Sequence, residues 1–347
     1  MLPGPCDRAV RTALMRVLLT GGTGFLGRAV AAALKAAGHD LVLMVRPGKR
    51  RDEGTGQVDV VEGDVTSPAS LRAAMGGPAP PEAVVHLAAM VQMWRPEAAE
   101  FDRVNVGGLQ NVLDAAWQAG VRRLVYGSSF MALGPSRGRP LNEEDDPRRD
   151  RFNNDYERTK YLADQLARRR TAAGEPLVVV YPGVVYGPGL LTAGGLVTRQ
   201  IREFLKGRLP GILGPGDQPV CYAFIEDVAR GAVLALERGK AGRGYILGGV
   251  NATLNELMET LARVSGRKAP TRHIPYGLAS LLGRLQWWRA RLTGHPPELT
   301  HQVVNIYRQS WAYDCSRACQ ELGYQVTSLE EGLRKTVRWL EAGRFAA

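Results

Sequence analysis

Between a short apolar segment, Arg16–Thr20, and an amphipathic one, the chain reads Thr20-Gly21-Gly22-Thr23-Gly24-Phe25-Leu26-Gly27. The flanks give this glycine spacing its meaning, because the same pattern outside a strand–turn–helix context is weak. Gly21 permits a tight turn, Gly24 lets the backbone approach a pyrophosphate, and Gly27 lets the helix pack close to the sheet. N–H groups at the start of the helix then face the anion. Gly21, Gly24, Phe25, Leu26 and Gly27 are therefore expected to bind a dinucleotide, the alternative being a glycine turn with no ligand.

Apolar runs and helical patterns alternate after this turn, as in a doubly wound parallel sheet. Strands are expected at Arg16–Thr20, Leu41–Val45, Val58–Glu62, Ala83–Leu87, Arg123–Tyr126 and Leu177–Tyr181, six in all, with helices at Arg28–Ala37, Ser67–Met75, Ala98–Ala119 and Tyr156–Thr171. Beyond Pro188 the alternation fails, and helices near Leu196–Lys206, Ile225–Arg238, Leu254–Val264, Tyr276–Trp288 and Leu329–Ala342 read as a smaller substrate-capping region. The expected fold is α/β, a Rossmann-type sheet over residues 15–188. Residues 189–347 mainly cap it, with some segments returning to the Rossmann part. Residues 1–14 lack periodicity and precede a second methionine, Met15, so they read as a disordered tail or a start-site artefact.

Composition narrows the class. The 45% hydrophobic and 23% charged residues are those of a globular protein. No apolar stretch has the length of a membrane span and the N-terminus has no secretory pattern, so a cytoplasmic protein is expected. Four cysteines make a poor disulfide framework. Cys315 and Cys319 share a helix face without a histidine nearby, which favours packing over a metal site, and no metal is expected. The net charge of +11 is scattered in short arginine runs such as Arg148–Arg149, without a nucleic-acid motif, and no nucleic-acid partner is expected.

The second strand ends at Val45-Arg46, followed by Lys49, Arg50 and Arg51, with no carboxylate at the strand end. A carboxylate there would bond a ribose 2′-hydroxyl, whereas a guanidinium suits a 2′-phosphate. Arg46 therefore favours NADP(H), with NAD(H) still possible.

Tyr156 and Lys160 stand one helical turn apart, behind the capping residues Asn153, Asn154 and Asp155. A neighbouring ammonium is expected to lower the Tyr156 pKa from about 10, making the phenol a usable proton donor and acceptor. Upstream, the fifth strand runs into Ser128-Ser129 at the sheet edge where ligands bind. A hydroxyl there can bond a substrate oxygen, and Ser129 is preferred over Ser128. Ser129, Tyr156 and Lys160 form the candidate catalytic set.

Taken together these residues resemble the extended short-chain dehydrogenase/reductases, of the NAD-dependent epimerase/dehydratase type. Within them, the nearest branch is that of dihydroflavonol reductase and 3β-hydroxysteroid dehydrogenase. The resemblance runs from Met15 through Gly63-Asp64-Val65, His86-Leu87-Ala88-Ala89, Asn105-Val106, Pro182-Gly183-Val184-Val185-Tyr186-Gly187-Pro188, Ile225-Glu226-Asp227-Val228-Ala229, Tyr313-Asp314 and Leu322-Gly323-Tyr324. It implies that Asp64 and Val65 meet the adenine, that Leu87, Ala88 and Ala89 line the cofactor cleft, and that Pro182 and Val185 lie near the nicotinamide. It also implies Tyr156 as acid/base, Lys160 on the nicotinamide ribose, Ser129 on the carbonyl, and Asn105 as a relay helper or a structural bond. A homodimer through the Ala98–Ala119 and Tyr156–Thr171 helices is implied as well. Asp227, at a helix start, has a structural reading at least as good as a functional one.

Relatives that bind nucleotide sugars carry an arginine shortly before the Asp-Val-Ala segment, where this chain has Val220. Met90, Val91, Met93, Trp94 and Met131 make an apolar, adaptable run suited to an apolar or aromatic carbonyl, or simply to core filling. The leading expectation is an NADP(H)-dependent carbonyl–alcohol oxidoreductase acting on a small molecule. A nucleotide-sugar epimerase/dehydratase and a non-catalytic NADP-binding sensor or assembly factor are the alternatives. Leu281–Leu292 mixes leucine, tryptophan and arginine and can be read as an interfacial membrane helix, a lid or a packing helix.

Overall fold

Short runs rich in valine and leucine, buried on both faces except in the edge strand Asp59–Glu62, form the strands of the central sheet. A computed structural model describes residues 13–48, 58–145, 150–192 and 194–343. Most of the amino-terminal segment, the Lys49–Arg51 cations and Arg148–Arg149 lie outside these residues. The first half contains β1 (Arg16–Thr20), α1 (Phe25–Ala36), β2 (Asp40–Val45), β3 (Asp59–Glu62), α2 (Pro68–Met75), β4 (Ala83–His86), α3 (Ala99–Phe101), α4 (Gly108–Gln118), β5 (Arg123–Gly127), α5 (Phe130–Leu133) and α6 (Asp155–Ala172). There follow β6 (Leu177–Pro182), β7 (Val184–Tyr186), α7 (Leu196–Leu205), β8 (Ile212–Leu213), β9 (Val220–Phe224), α8 (Ile225–Arg238), β10 (Gly244–Leu247) and β11 (Val250–Ala252). The chain closes with α9 (Leu254–Ser265), β12 (His273–Ile274), α10 (Tyr276–Thr293), α11 (His301–Tyr307) and α12 (Leu329–Glu341).

The main sheet is parallel, in the order β10-β6-β5-β4-β1-β2-β3. It has seven strands, one more than expected. The extra strand, β10, comes from beyond the capping segments and pairs with β6, while α8 packs on α1 beneath the same sheet. The remaining strands form a three-stranded sheet, β11-β9-β7, and a two-stranded one, β12-β8. Around these, α7, α9 and α12 enclose a third apolar core containing Ile201, Tyr222, Leu257 and Leu333. Asp227 is buried and structural: it accepts hydrogen bonds from the Thr327 amide (2.6 Å) and hydroxyl (2.9 Å) and pairs with Arg230.

Two features of this fold position the site. Strand order reverses between β1 and β4, which opens a crevice at the carboxyl ends of the strands. Register also aligns Thr20 with His86 and His86 with Tyr126 across neighbouring strands. The expected Ala98–Ala119 helix is interrupted by a π-helical turn, Asp102–Gly107, which turns Asn105 into the protein. Such turns commonly occur at functional sites.

Candidate active site

The glycine turn is packed to the limit. Gly21 has φ +75°, and a Cβ there would lie 2.5 Å from the Ala88 amide nitrogen; one at Gly27 would overlap the Gly21 carbonyl oxygen. The cleft residues Leu87 and Ala88 are thus brought against the turn. Ala88 also donates its amide to Thr20 Oγ1 (3.3 Å), and Thr20 Oγ1 bonds His86 Nδ1 at 2.7 Å. Helix α1 begins at Phe25 with Gly24 as its cap, has no side-chain cap and carries no acid in its first turn. Its first N–H groups cannot be satisfied within the helix and are open to an anion. These residues fit a dinucleotide pyrophosphate. Gly27→Ala is expected to displace the turn, costing about 1–3 kcal/mol of stability and weakening nucleotide affinity about tenfold; thermal melts with and without NADPH measure both.

The other expected cofactor residues follow or end strands of the main sheet, except Val185, which lies in the three-stranded sheet. Arg46 follows β2, exposed and without a carboxylate partner among the described residues, whereas Asp40 sits at the opposite end of that strand, paired with Arg16. Asp64 Oδ1 accepts from the Thr66 amide and hydroxyl at 2.8 and 2.7 Å. Val65 is buried against Gly108, and its carbonyl accepts from Asn111. Pro182 ends β6 and Val185 is half-buried in β7.

Ser129 and Tyr156, far apart in sequence, come together. Ser129 caps α5, its Oγ accepting from the Met131 amide at 3.2 Å, and its hydroxyl stands close enough to the buried Tyr156 phenol to draw that group's pKa down. Asn154 caps α6 through the Glu157 amide (2.8 Å), and Asn153 returns two bonds to the Glu157 carboxylate, which sets the helix start that carries Tyr156. Ser128 instead lies buried beside Tyr126.

The electrostatics differ from the sequence expectation. Burial raises the Tyr156 pKa, opposed only by the neighbouring Ser129 hydroxyl, so the phenol is held protonated rather than eased toward phenolate. Lys160 points elsewhere: its ammonium donates to the Gly127 carbonyl (3.1 Å) and lies 5.4 Å from the centre of the Tyr126 ring. Burial lowers its pKa to about 8, with Asp164 pulling the other way. Asp164 is held by the Tyr181 hydroxyl and by Arg168, both at 2.7 Å. His86, stacked on Tyr126, is pushed down to about 3 by burial and then by Lys160, and stays neutral.

Further residues support the site, and the first of them, Asn105, was expected as a relay helper or a structural bond. Asn105 accepts from the Met90 amide (2.7 Å) and donates to Thr159 Oγ1 (3.0 Å), tying the segment after β4 to the helix of Tyr156 and Lys160. Thr20, His86, Tyr126 and Asp164 were not singled out, because no local spacing marks partners that meet across strands. Of the apolar run, Met131 is core, while Met90, Val91 and Met93 are half-buried at its margin, and Met93 sulfur lies 3.6 Å from Asn154 Nδ2. Val220 opens β9, half-buried and bridged to Trp311.

Known proteins place this arrangement. The model of the NAD dependent epimerase/dehydratase family matches residues 17–248. The chain is 30% identical to a provisionally named dihydroflavonol 4-reductase of Synechocystis sp., covering 93% of this chain and 94% of that one. It is also 30% identical to sterol demethylase protein B of Methylococcus capsulatus, covering 94% and 98%. Among solved structures it is similar to a nucleoside-diphosphate-sugar epimerase from Pseudomonas aeruginosa, with a TM-score of 0.75, 26% identity and coverage of 96% and 100%. Fold, glycine turn and matched span agree: the chain belongs to the NAD dependent epimerase/dehydratase family, among the extended short-chain dehydrogenase/reductases, and is an NAD(P)-dependent oxidoreductase acting on CH–OH groups.

Proposed function

We propose that this enzyme interconverts a carbonyl and a secondary alcohol on an apolar or aromatic small molecule, using NADP(H). The observation that carries this reading is the buried Tyr156 phenol beside the buried Ser129 hydroxyl at the carboxyl edge of the sheet. When bound, the reduced nicotinamide supplies hydride to the carbonyl carbon. Ser129 holds the carbonyl oxygen, and Tyr156, kept protonated by its burial, gives that oxygen its proton as negative charge develops. Lys160 places a cation beneath the site and would hold the nicotinamide ribose, while Asp64 and Val65 would face the adenine. Leu87 to Ala89, Pro182 and Val185 would line the cofactor cleft. A non-catalytic sensor has no use for a buried serine beside a buried tyrosine at this edge.

The apolar character of the substrate rests on Met90, Val91 and Met93 at the cleft margin, on Val220 in place of an arginine, and on the similarity to a protein named for sterol demethylation. Likeness to a nucleoside-diphosphate-sugar epimerase keeps that chemistry as the competing reading. Turnover of NADPH against a panel of apolar ketones, beside titration with a nucleotide diphosphate sugar, separates the two. Tight sugar-nucleotide binding without ketone turnover rejects the proposal.

Arg46 is the residue proposed to choose NADP(H), through its guanidinium at the end of β2. Arg46→Ala is expected to raise the KM for NADPH about tenfold, since charge-assisted hydrogen bonds of this kind contribute roughly 1.5–3 kcal/mol, and to leave the KM for NADH nearly unchanged. Equal effects on both cofactors would exclude that role. We also propose a homodimer in the cytoplasm, packed through α4 and α6, where Trp117 and Leu162 are exposed.

A further inference from the structure

Helix α10 is inside out. Its buried residues are Ala279, Gly283 and Ala290, and a Cβ at Gly283 would lie 2.6 Å from the His301 amide nitrogen, so its small face is pressed close to α11. Its large apolar side chains face water: Leu278, Leu281, Leu282, Leu285, Trp288 and Leu292 are exposed by 46–84%. At 3.6 residues per turn these six fall within an arc of about 120°. They are six of the eleven exposed large apolar side chains among the described residues, which rules out the ordinary scatter of single exposed leucines.

Charge accompanies the apolar face. Between Arg263 and Glu298 the sequence holds Arg267, Lys268, Arg272, Arg284, Arg289 and Arg291 and not one carboxylate. On the helix, Arg289 falls inside the apolar arc by its spacing, and Arg284 and Arg291 beside it. None of these three has a carboxylate partner among the described residues; Arg291 lies over the Trp287 ring.

We propose that α10 is a docking surface for an anionic lipid bilayer, entering the headgroup region with its leucines and Trp288 while its arginines meet lipid phosphates. Apolar area and clustered cations are the two contributions that interfacial binding needs, and tryptophan suits that depth. A second copy of the chain fits this face less well, because pairing α10 with itself sets arginines against arginines with no carboxylate between them. Attachment is peripheral: no helix among the described residues is long and apolar enough to cross a membrane. The surface does not depend on the substrate reading, although the chain after α11 reaches the site through the Gln309–Asn153 hydrogen bond (3.0 Å).

Co-sedimentation of the full chain with phosphatidylcholine vesicles, with and without phosphatidylglycerol, tests this without any substrate. Binding should be about tenfold stronger to the anionic vesicles. It should fall about tenfold in each of two variants, L281Q/L285Q/W288Q and R284Q/R289Q/R291Q, both melting as the parent does. Three results would overturn the proposal: no binding to anionic vesicles, binding that survives the triple apolar replacement, or self-association in sedimentation velocity that the same replacement abolishes.

Discussion

Tyr156→Phe should lower kcat for carbonyl reduction by about 10³-fold, within the range that a positioned general acid contributes, and leave NADPH affinity within about twofold. The ring that fills the site is kept and only the hydroxyl is lost. Ser129 keeps its bond to the Met131 amide, so stability should change by no more than about 1 kcal/mol. The proton itself explains the size of the effect. Burial holds the phenol protonated, so Tyr156 enters a reductive cycle already in its acid form. In the reverse direction the same burial works against the base, and alcohol oxidation should quicken with rising pH across the neutral and alkaline range, where reduction gains nothing from Tyr156. Stopped-flow reduction and fluorescence titration of NADPH measure the two halves. Retention of more than a tenth of the parent rate would remove Tyr156 from the role of proton donor.

What could be read from the chain depended on whether the determining contacts are local. The glycine turn, Ser129 and the Tyr156–Lys160 spacing are written in neighbouring residues and in the end of one strand, and the Rossmann sheet follows from its alternation. Strand β10 was missed because its four residues follow the capping segments and gain strand identity only by pairing with β6. The orientation of α10 was equally hidden. Periodicity shows that its leucines share a face, but only the close approach of Gly283 to His301 decides that the small face is the inner one. At the site, sequence placed Lys160 one turn after Tyr156 and led to a lowered tyrosine pKa. The structure gives the opposite sign, because the lysine turns to Gly127 and Tyr126 while the phenol is desolvated.

That desolvation gives Lys160→Met two opposed effects. At 3% exposure the ammonium is buried, and its pKa drops from 10.5 to about 8. Below about pH 8 both folded and unfolded chains carry the proton, and the folded state bears the full cost of the buried charge. Between about 8 and 10.5 the unfolded chain holds a proton that the native state has released, so the cost shrinks as pH rises; above that range neither state is charged. A shift of this size corresponds to roughly 3 kcal/mol at neutral pH. Methionine removes that cost but forfeits the bond to the Gly127 carbonyl and the contact with the Tyr126 ring, which together offset about 1–2 kcal/mol of it. The variant should therefore be more stable than the parent by about 1–2 kcal/mol at pH 7, with the advantage gone by pH 10, and should lose about 10²-fold or more in turnover as the cation under the site disappears. Urea unfolding at the two pH values, beside kcat, tests both effects. A variant that is less stable at pH 7 would mean that Gly127, Tyr126 and Asp164 fully compensate the buried ammonium. A variant more stable and inactive would identify Lys160 as a charge kept at the expense of stability, in the manner expected of a functional site rather than a structural one.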